Sequence, residues 1–193
     1  MVSIMDTVVP TIPDVTADDI KRKMPYPTLT KCEDAPTYST MSKIHEEMFR
    51  NSIAVKSTFG GGGRHGHYGY LQKPATYLIE AGEPWTVLKN GGVYPTFAAG
   101  MTDEGKKREV ATFVLTEHNI KKAEVTQELL KNQFLEAVPE DYYLKLNAGV
   151  LSYDGLTVYD LLTHVFSNYA NLDDHLVISN KSNSRRHQIS PAP

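Results

Sequence analysis

The chain has 193 residues, of which 40% are hydrophobic and 22% are charged, a balance typical of one globular domain or two small lobes sharing a core. Its 20 lysines and arginines against 23 acidic residues leave a net charge of −3, which excludes a broad basic surface for nucleic acid, so any RNA contact must be local. A single cysteine, Cys32, excludes an internal disulfide and a zinc knuckle and favours a reducing compartment.

The N-terminal residues predict neither a signal peptide nor a membrane anchor. Val8, Val9 and Ile12 are interrupted by Asp6 and Asp14, and no basic region precedes them. No stretch of the sequence approaches the roughly 18 apolar residues of a membrane span. We therefore expect a cytoplasmic protein that does not contact a membrane.

Residues 1–36 are predicted to form an extended or disordered arm, because five prolines between positions 10 and 36 separate short polar runs. A helical domain is predicted over residues 37–180. Its first helix carries apolar residues near a 3.6-residue spacing, at Met41, Ile44, Met48 and Val55. Polar side chains are predicted to cover its other face: Ser42, Lys43, Glu46, Glu47 and Arg50.

The segment from Thr58 to Tyr70 contains four consecutive glycines and two histidines. Its GxGxxG spacing lacks the strand before and the helix after that a dinucleotide site needs, and a phosphate-binding P-loop would place Lys and then Ser or Thr where His67 and Tyr68 stand. We interpret the segment as a hinge or clasp. Two alternatives stay open: a phosphate- or nucleotide-binding module that uses backbone N–H groups of Gly60–Gly69 with Arg64, and a metal-dependent enzyme centred on His65 and His67.

An irregular segment rich in glycine, proline and aromatic residues is predicted over residues 58–101. Its aromatic side chains are expected to pin loops onto the core rather than to stack bases: Tyr68, Tyr70, Tyr77, Trp85, Tyr94 and Phe97. One short helix is predicted from Pro74 to Ala81, because proline suits the first helical turn and Gly82 suits the C-terminal cap.

Helical signals resume at Thr102, a favourable N-cap followed by acidic residues. The apolar stripe Val110, Phe113 and Val114 is out of phase with the next one, which predicts two helices or one kinked helix meeting near His118 and Asn119. That second stripe comprises Val125, Leu129, Leu130, Phe134 and Val138. Pro139 is predicted to end this stretch and begin a short turn from which four side chains pack inward: Tyr142, Tyr143, Leu144 and Leu146.

The strongest helical pattern runs from Val158 to Tyr169, with Thr157 and Asp160 approximating a capping box. A weaker helix is predicted from Leu172 to about Ser179. Residues 181–193 are predicted to form a disordered basic tail.

No constellation of catalytic residues emerges from the pattern. His45-Glu46 begins like the zinc-protease motif HExxH, but Phe49 stands at the second histidine position. The acidic pairs 18–19, 46–47 and 173–174 are interpreted as solvated surface. The isolated histidines are interpreted as solvated or structural: His118, His164 and His175.

Several short motifs nevertheless occur in a distinctive order. In the N-terminal half they are Pro-Tyr-Pro-Thr-Leu-Thr at 25–30, Ile-His-Glu-Glu at 44–47, Gly-Gly-Gly-Arg-His-Gly-His-Tyr-Gly at 61–69 and Pro-Ala-Thr-Tyr at 74–77. In the C-terminal half they are Leu-Leu-Lys-Asn-Gln-Phe-Leu-Glu-Ala-Val at 129–138, Tyr-Leu at 143–144 and Leu-Thr-Val-Tyr-Asp-Leu-Leu-Thr-His-Val-Phe-Ser-Asn-Tyr at 156–169. This order resembles the Gag-like region of copia-type LTR retrotransposons, particularly the lineage of marine algae.

The resemblance covers about residues 20–180 and departs from the family at Ala170, where a glycine is usual. It implies a mainly α fold, with a helical capsid-like core and an irregular Gly/Pro/aromatic-rich insertion. It further implies self-association into particles that help to enclose the element's RNA, with no catalytic residues, metal or cofactor. The family's CCHC zinc knuckle is absent from this sequence. We therefore expect weak RNA contact, carried by the basic tail residues Lys181, Arg185 and Arg186.

Overall fold

The computed structural model describes residues 10–57, 65–86, 92–147 and 155–170, and over these ranges the chain is mainly helical and contains no β-strand. The α-helices, in chain order, are α1 (Ala17–Lys21), α2 (Tyr38–Ala54), α3 (Pro74–Ala81), α4 (Asp103–Ala137) and α5 (Val158–Asn168). Short 3-10 turns occur at Tyr68–Leu71, Glu140–Tyr142 and Leu144–Asn147. The predicted mainly α fold is confirmed. Among the described helices, none is both long and apolar enough to span a membrane.

The core lies where α2, the C-terminal half of α4 and α5 pack against one another. Each of these helices contributes side chains with no exposed surface: Met41, Ile44 and Met48 from α2, Leu130 and Phe134 from α4, and Leu161 and Val165 from α5. Burial of such side chains stabilises the fold by about 2 kcal/mol each. These residues belong to the apolar stripes of the sequence, so the predicted inward faces are correct here.

Helix α5 begins with the predicted capping box. The hydroxyl oxygen of Thr157 accepts a hydrogen bond from the Asp160 N–H (3.1 Å), and the Asp160 carboxylate accepts one from the Thr157 N–H (3.0 Å). Two N–H groups that the helix cannot satisfy internally therefore find partners. Helix α3 has proline in its first turn and ends at Gly82, whose φ of 76° is left-handed, as predicted.

Helix α4 is a single continuous helix of 35 residues, about 50 Å long, capped at its start by Thr102 as predicted. The alternative of two helices meeting near His118 is therefore wrong. Its two apolar stripes differ in phase because they face different layers. Phe113 contacts Tyr94, with ring centroids 5.5 Å apart, and the Glu117 carboxylate accepts a hydrogen bond from the Gly92 N–H (2.6 Å), whereas the later stripe faces the core.

Residues 10–36 correct the prediction of an extended or disordered arm, which was made for residues 1–36. Ile20, Met24 and Leu29 are buried in the core cluster, and the Cys32 N–H donates to the carbonyl of Ala137 (2.8 Å). The prolines prevent a long helix, but burial of the apolar side chains between them against α2 and α4 still stabilises the folded state. The spacing of the prolines indicates breaks in the chain but carries no signal for these buried anchors.

The turn after α4 matches its prediction in part. Pro139 precedes the 3-10 turn Glu140–Tyr142, and Tyr143 is buried. Leu144, predicted to point inward, is half exposed. In a 3-10 turn, side chains three residues apart lie on the same side, so Leu146 packs beside Tyr143 while Leu144 turns outward.

The predictions for the C-terminal region beyond residue 170 lie outside the described residues. They comprise the helix from Leu172 to Ser179, the tail 181–193, and thus the end of the predicted domain 37–180.

Candidate functional site

The glycine–histidine segment is described from His65 onward. Gly66 adopts a left-handed φ of 56°, and the next residue, His67, donates its N–H to the Ser52 carbonyl in the last turn of α2 (2.8 Å). A Cβ on Gly66 would lie 2.5 Å from that same carbonyl oxygen, so only glycine allows this approach. Gly60–Gly63 and Arg64, on which a phosphate- or nucleotide-binding loop would depend, lie outside the described residues.

His67 occupies a structural position under the end of α2. Its side chain is 1% exposed, and its Nδ1–H donates to the carbonyl of Val55 (2.7 Å). Burial lowers the pKa of His67 from 6.5 to about 4, although the hydrogen bond to Val55 raises it in part. The imidazole is therefore neutral at pH 7.

In the described part of the chain, the rings of His65 and His67 do not converge with a third donor side chain on a point where a metal ion could bind. The His65 ring contacts Tyr77 edge-on (6.1 Å between centroids), whereas the His67 ring stacks on Tyr70 (6.1 Å). Across residues 10–57, 65–86, 92–147 and 155–170, no group of three His, Cys, Asp or Glu side chains could hold a metal ion. The described contacts therefore give the metal-centre alternative no support.

The aromatic residues of the irregular segment form a cluster around Trp85. Its ring lies 5.1 Å from that of Tyr70 and 5.5 Å from that of Tyr77, both in edge-to-face geometry. Tyr68 packs edge-on against Phe49 of α2 at 4.5 Å. Each such pair adds about 1 kcal/mol beyond its buried area. The cluster pins the segment onto α2, as predicted.

An open groove of about 860 Å³ runs beside this cluster, between the aromatic segment, α4 and α5. Tyr70 and Trp85 form its aromatic wall, while Glu124, Tyr159 and Asp160 lie on the helices. The Asp160 carboxylate already accepts hydrogen bonds from the N–H and hydroxyl groups of Thr157. Burial, and then Glu124, raises the pKa of Tyr70, so the phenol stays protonated. The described lining thus offers an aromatic wall, a protonated phenol and two carboxylates, one of them held by a helix cap, rather than a matched acid and base.

A buried polar network ties the N-terminal segment to two helices. Asn51 of α2, with no exposed surface, accepts from the Tyr26 N–H (2.9 Å) and donates to the Tyr26 carbonyl (2.7 Å). Gln133 of α4 donates to the carbonyls of Tyr26 and Pro27, both at 3.1 Å. The side-chain amide N–H of Asn51 also donates a hydrogen bond to the side-chain carbonyl of Gln133 (3.1 Å). Backbone N–H and C=O groups of the proline-rich segment, which form no helical hydrogen bonds, find hydrogen-bond partners in this way.

Glu47 corrects a sequence interpretation, because it was assigned to a solvated face together with Glu46. Only Glu46 is exposed, where it pairs with Arg50 at 2.6 Å. Glu47 is 7% exposed and accepts hydrogen bonds from the N–H and hydroxyl of Thr30 (2.7 and 2.8 Å). Sequence reasoning missed Glu47 and Asn51 as anchors, although their spacing of three and seven residues from Ile44 places them on the apolar face.

The other sequence-predicted residues are dispersed. His118 lies on α4 with its Nδ1 3.4 Å from the carbonyl of Pro13, and His164 lies on α5 beside Asn168. His175 and the predicted RNA contacts lie outside the described residues: Lys181, Arg185 and Arg186.

Helix α3 exposes two adjacent large apolar side chains. Leu78 is 47% exposed and Ile79 is 84% exposed, and of the helix's eight residues only Tyr77 is buried. We call Leu78 and Ile79 the α3 patch.

Comparisons with family models, curated proteins and solved structures find no match for this chain. The class of protein therefore rests on the motif order and on the geometry described above.

Proposed function

We propose that this chain is a Gag-like structural protein that self-associates into capsid-like particles and helps to enclose element RNA. It acts in the cytoplasm, without catalytic residues or a cofactor. The order of motifs over residues 20–180 and the mainly helical fold support this proposal. The observation that carries it is the exposed α3 patch.

Helix α3 has more apolar surface than the monomer covers. Tyr77, Leu78 and Ile79 are consecutive, so their side chains are spread over about 200° of the helix circumference. A surface helix normally turns its apolar stripe toward the core. Here only the Tyr77 side chain is buried, whereas those of Leu78 and Ile79 face outward. Leu78 and Ile79 therefore form an apolar surface that a further protein surface can cover.

The patch is held firmly enough to serve as a contact. Tyr77 anchors α3 by packing against Trp85, and Pro74 and Gly82 fix the two ends of the helix. Glu80, the one charged residue within α3, is hydrogen-bonded by Gln72 at 2.8 Å. A small, ordered, apolar surface loses little entropy on binding. A second copy of the chain is the partner we propose, since identical patches can meet across a two-fold axis; this contact closes a dimer, and particles form when dimers associate through a further surface.

The test is to place a charge on the patch. Ile79→Glu should lower the average mass in size-exclusion chromatography with light scattering, because dimerisation would bury the carboxylate without a partner. Leu115→Glu is the matched control, since Leu115 is also a largely exposed apolar residue on a helix (59%) but lies on α4. If Ile79→Glu and the unmodified chain show the same mass distribution, the α3 patch is not the assembly contact.

RNA enclosure adds a second element to this proposal. Lys181, Arg185 and Arg186 supply the positive charge near the C-terminus, and binding carried by them is weak and independent of RNA sequence. Deletion of residues 181–193 should lower retention on an RNA column at low salt. Undiminished retention would move the RNA contact into the folded part of the chain.

A further inference from the structure

A pocket of about 390 Å³ lies between α1 and α4, and its lining contains three cationic side chains, one histidine and two carboxylates. Arg22 and Lys23 reach it from the end of α1, and Lys122 and His118 reach it from α4. Val15 and Ile20 form its apolar wall. The acidic overall charge of the chain makes this local basic cluster stand out.

The acidic residues of the pocket are already engaged by their own segment. Asp19 accepts a hydrogen bond from the Thr16 hydroxyl (2.6 Å) and lies 3.6 Å from the Arg22 guanidinium. Asp14 accepts one from the Val15 N–H (2.9 Å). These contacts direct both carboxylates toward α1 and its start.

Neither lysine forms a direct ion pair with a carboxylate in the described part of the chain, although the charge of Lys23, after the Thr16 hydrogen bond and the charge of Arg22, contributes to lowering the pKa of Asp19. In the described part of the chain, the ion pairs join Arg22 to Asp19 and Arg50 to Glu46, and neither involves Lys23 or Lys122. Lys122 is half buried, so its ammonium group has lost part of its hydration. Burial and the neighbouring charge of Lys23 both lower the pKa of Lys122. The two ammonium groups repel each other, and an anion bound between them would relieve that repulsion.

We propose that this pocket binds a phosphate group of an RNA phosphodiester backbone, with the ammonium groups of Lys23 and Lys122 as its principal contacts. Arg22 adds positive charge at the rim, and His118 supplies an imidazole whose Nδ1 is oriented by the carbonyl of Pro13. The volume suits a phosphate together with water and part of the adjoining nucleotide. The choice of RNA as the source of the phosphate rests on the proposed function, whereas the site itself does not depend on self-association and lies apart from the α3 patch.

The test compares two double variants of the full chain that carry the same charge change. Lys23→Gln with Lys122→Gln removes both pocket ammonium groups. Lys21→Gln with Lys121→Gln alters exposed lysines on the same two helices, outside the pocket lining. Binding of a fluorescent single-stranded RNA is measured by anisotropy over a range of salt concentrations, and melting temperatures are measured for every variant.

The pocket variant should bind RNA about tenfold more weakly and show a salt slope smaller by roughly 0.7, since the pocket holds one phosphate and each lost phosphate contact removes about 0.7 on single strands. The control variant should keep more of its RNA affinity and more of its salt dependence. Equal losses in the two double variants would show that only net charge matters and would overturn the site, as would no loss in either. If the pocket variant melts early, the exposed Lys23→Gln alone supplies the same comparison against Lys21→Gln.

Inorganic phosphate, titrated against the unmodified chain at constant ionic strength, separates the two sources of the anion. RNA binding that depends on the pocket, with phosphate displacing RNA only at millimolar concentration, supports the backbone phosphate. Tight phosphate binding that the pocket variant loses, while its RNA binding is unchanged, would contradict the RNA assignment and identify a free-anion site.

Discussion

His67 illustrates how one side chain connects two parts of the fold. Its backbone N–H is bound by the Ser52 carbonyl and its imidazole by the Val55 carbonyl, so it satisfies acceptors in the last turn of α2 and just after it. Its ring also stacks against Tyr70. The aromatic cluster is thereby attached to α2 through a neutral histidine.

The depressed pKa of His67 predicts a stability that depends on pH. The folded pKa of about 4 lies below the ordinary value of 6.5, so the unfolded chain binds more protons between these values. The stabilisation, roughly 3 kcal/mol, is complete above about pH 7 and is lost as the pH falls through 6.5 toward 4.

Urea denaturation of the unmodified chain and of His67→Gln between pH 7.5 and 4 checks this expectation. The unmodified chain should lose more free energy of unfolding over this range than the variant, which cannot titrate at that position. His45, whose pKa burial also lowers, is present in both proteins and cancels in the comparison. Parallel pH profiles for the two proteins would contradict the buried neutral state of His67.

Gly66 and Gly82 form a natural pair for testing the close approach of backbone at residue 66. Both have left-handed φ, but an added Cβ meets the backbone of Ser52 and Ile53 at Gly66 and nothing within 4 Å at Gly82. Gly82→Ala should therefore cost about 1 kcal/mol of conformational strain. Gly66→Ala should cost ~3 kcal/mol or more, because the end of α2 must also move. Denaturant unfolding measures both, and equal costs would contradict the crowded contact.

At the scale of elements, α5 owes its stability to its cap and to its continuous apolar stripe. Leu162 is 3% exposed in the core cluster, while its neighbour Thr163 is exposed. Leu162→Asp should destabilise the fold by several kcal/mol, on the order of 3 or more, because it buries an unpaired carboxylate. Thr163→Asp introduces the same charge at the surface and should change stability by less than about 0.5 kcal/mol.

Thermal unfolding followed by circular dichroism distinguishes these two variants. A melting temperature for Leu162→Asp equal to that of the unmodified chain would show that α5 does not form part of the core.

The elements that could be predicted from the sequence are those with local causes. The caps of α3, α4 and α5 depend on residues within one turn of each helix end, and their signals stood in the sequence. Helix α1 was missed because it has only five residues and is held by packing against α4. The continuity of α4 was left open because its apolar face changes where a second layer, around Tyr94, covers it.

The candidate sites were harder to predict than the helices. The glycine–histidine segment drew attention by composition, yet His67 proved to be buried against backbone. The exposure of Ile79 depends on which face of α3 is turned toward the core, and the contact of Tyr77 with Trp85 determines that face. Lys23 and Lys122 are 99 positions apart in sequence, and only the packing of α1 on α4 places them in one pocket. Such long-range juxtapositions leave no periodic signal.

At the scale of the whole molecule, the N-terminal segment completes the core rather than extending from it. Asn51, Gln133 and Glu47 bind its backbone, and its apolar side chains enter the same cluster as those of α2, α4 and α5. The folded body therefore begins well before residue 37. On this body the α3 patch and the basic pocket are separate surfaces, for which we propose protein–protein contact and phosphate binding respectively.

Self-association is the central claim, and negative-stain electron microscopy of the purified full chain over a range of concentrations tests it most directly. We expect regular multi-copy particles that become more abundant as concentration rises, and that Ile79→Glu largely abolishes while Leu115→Glu leaves them intact. Isolated single chains at every concentration, with no particles even at the highest, would contradict the proposed assembly.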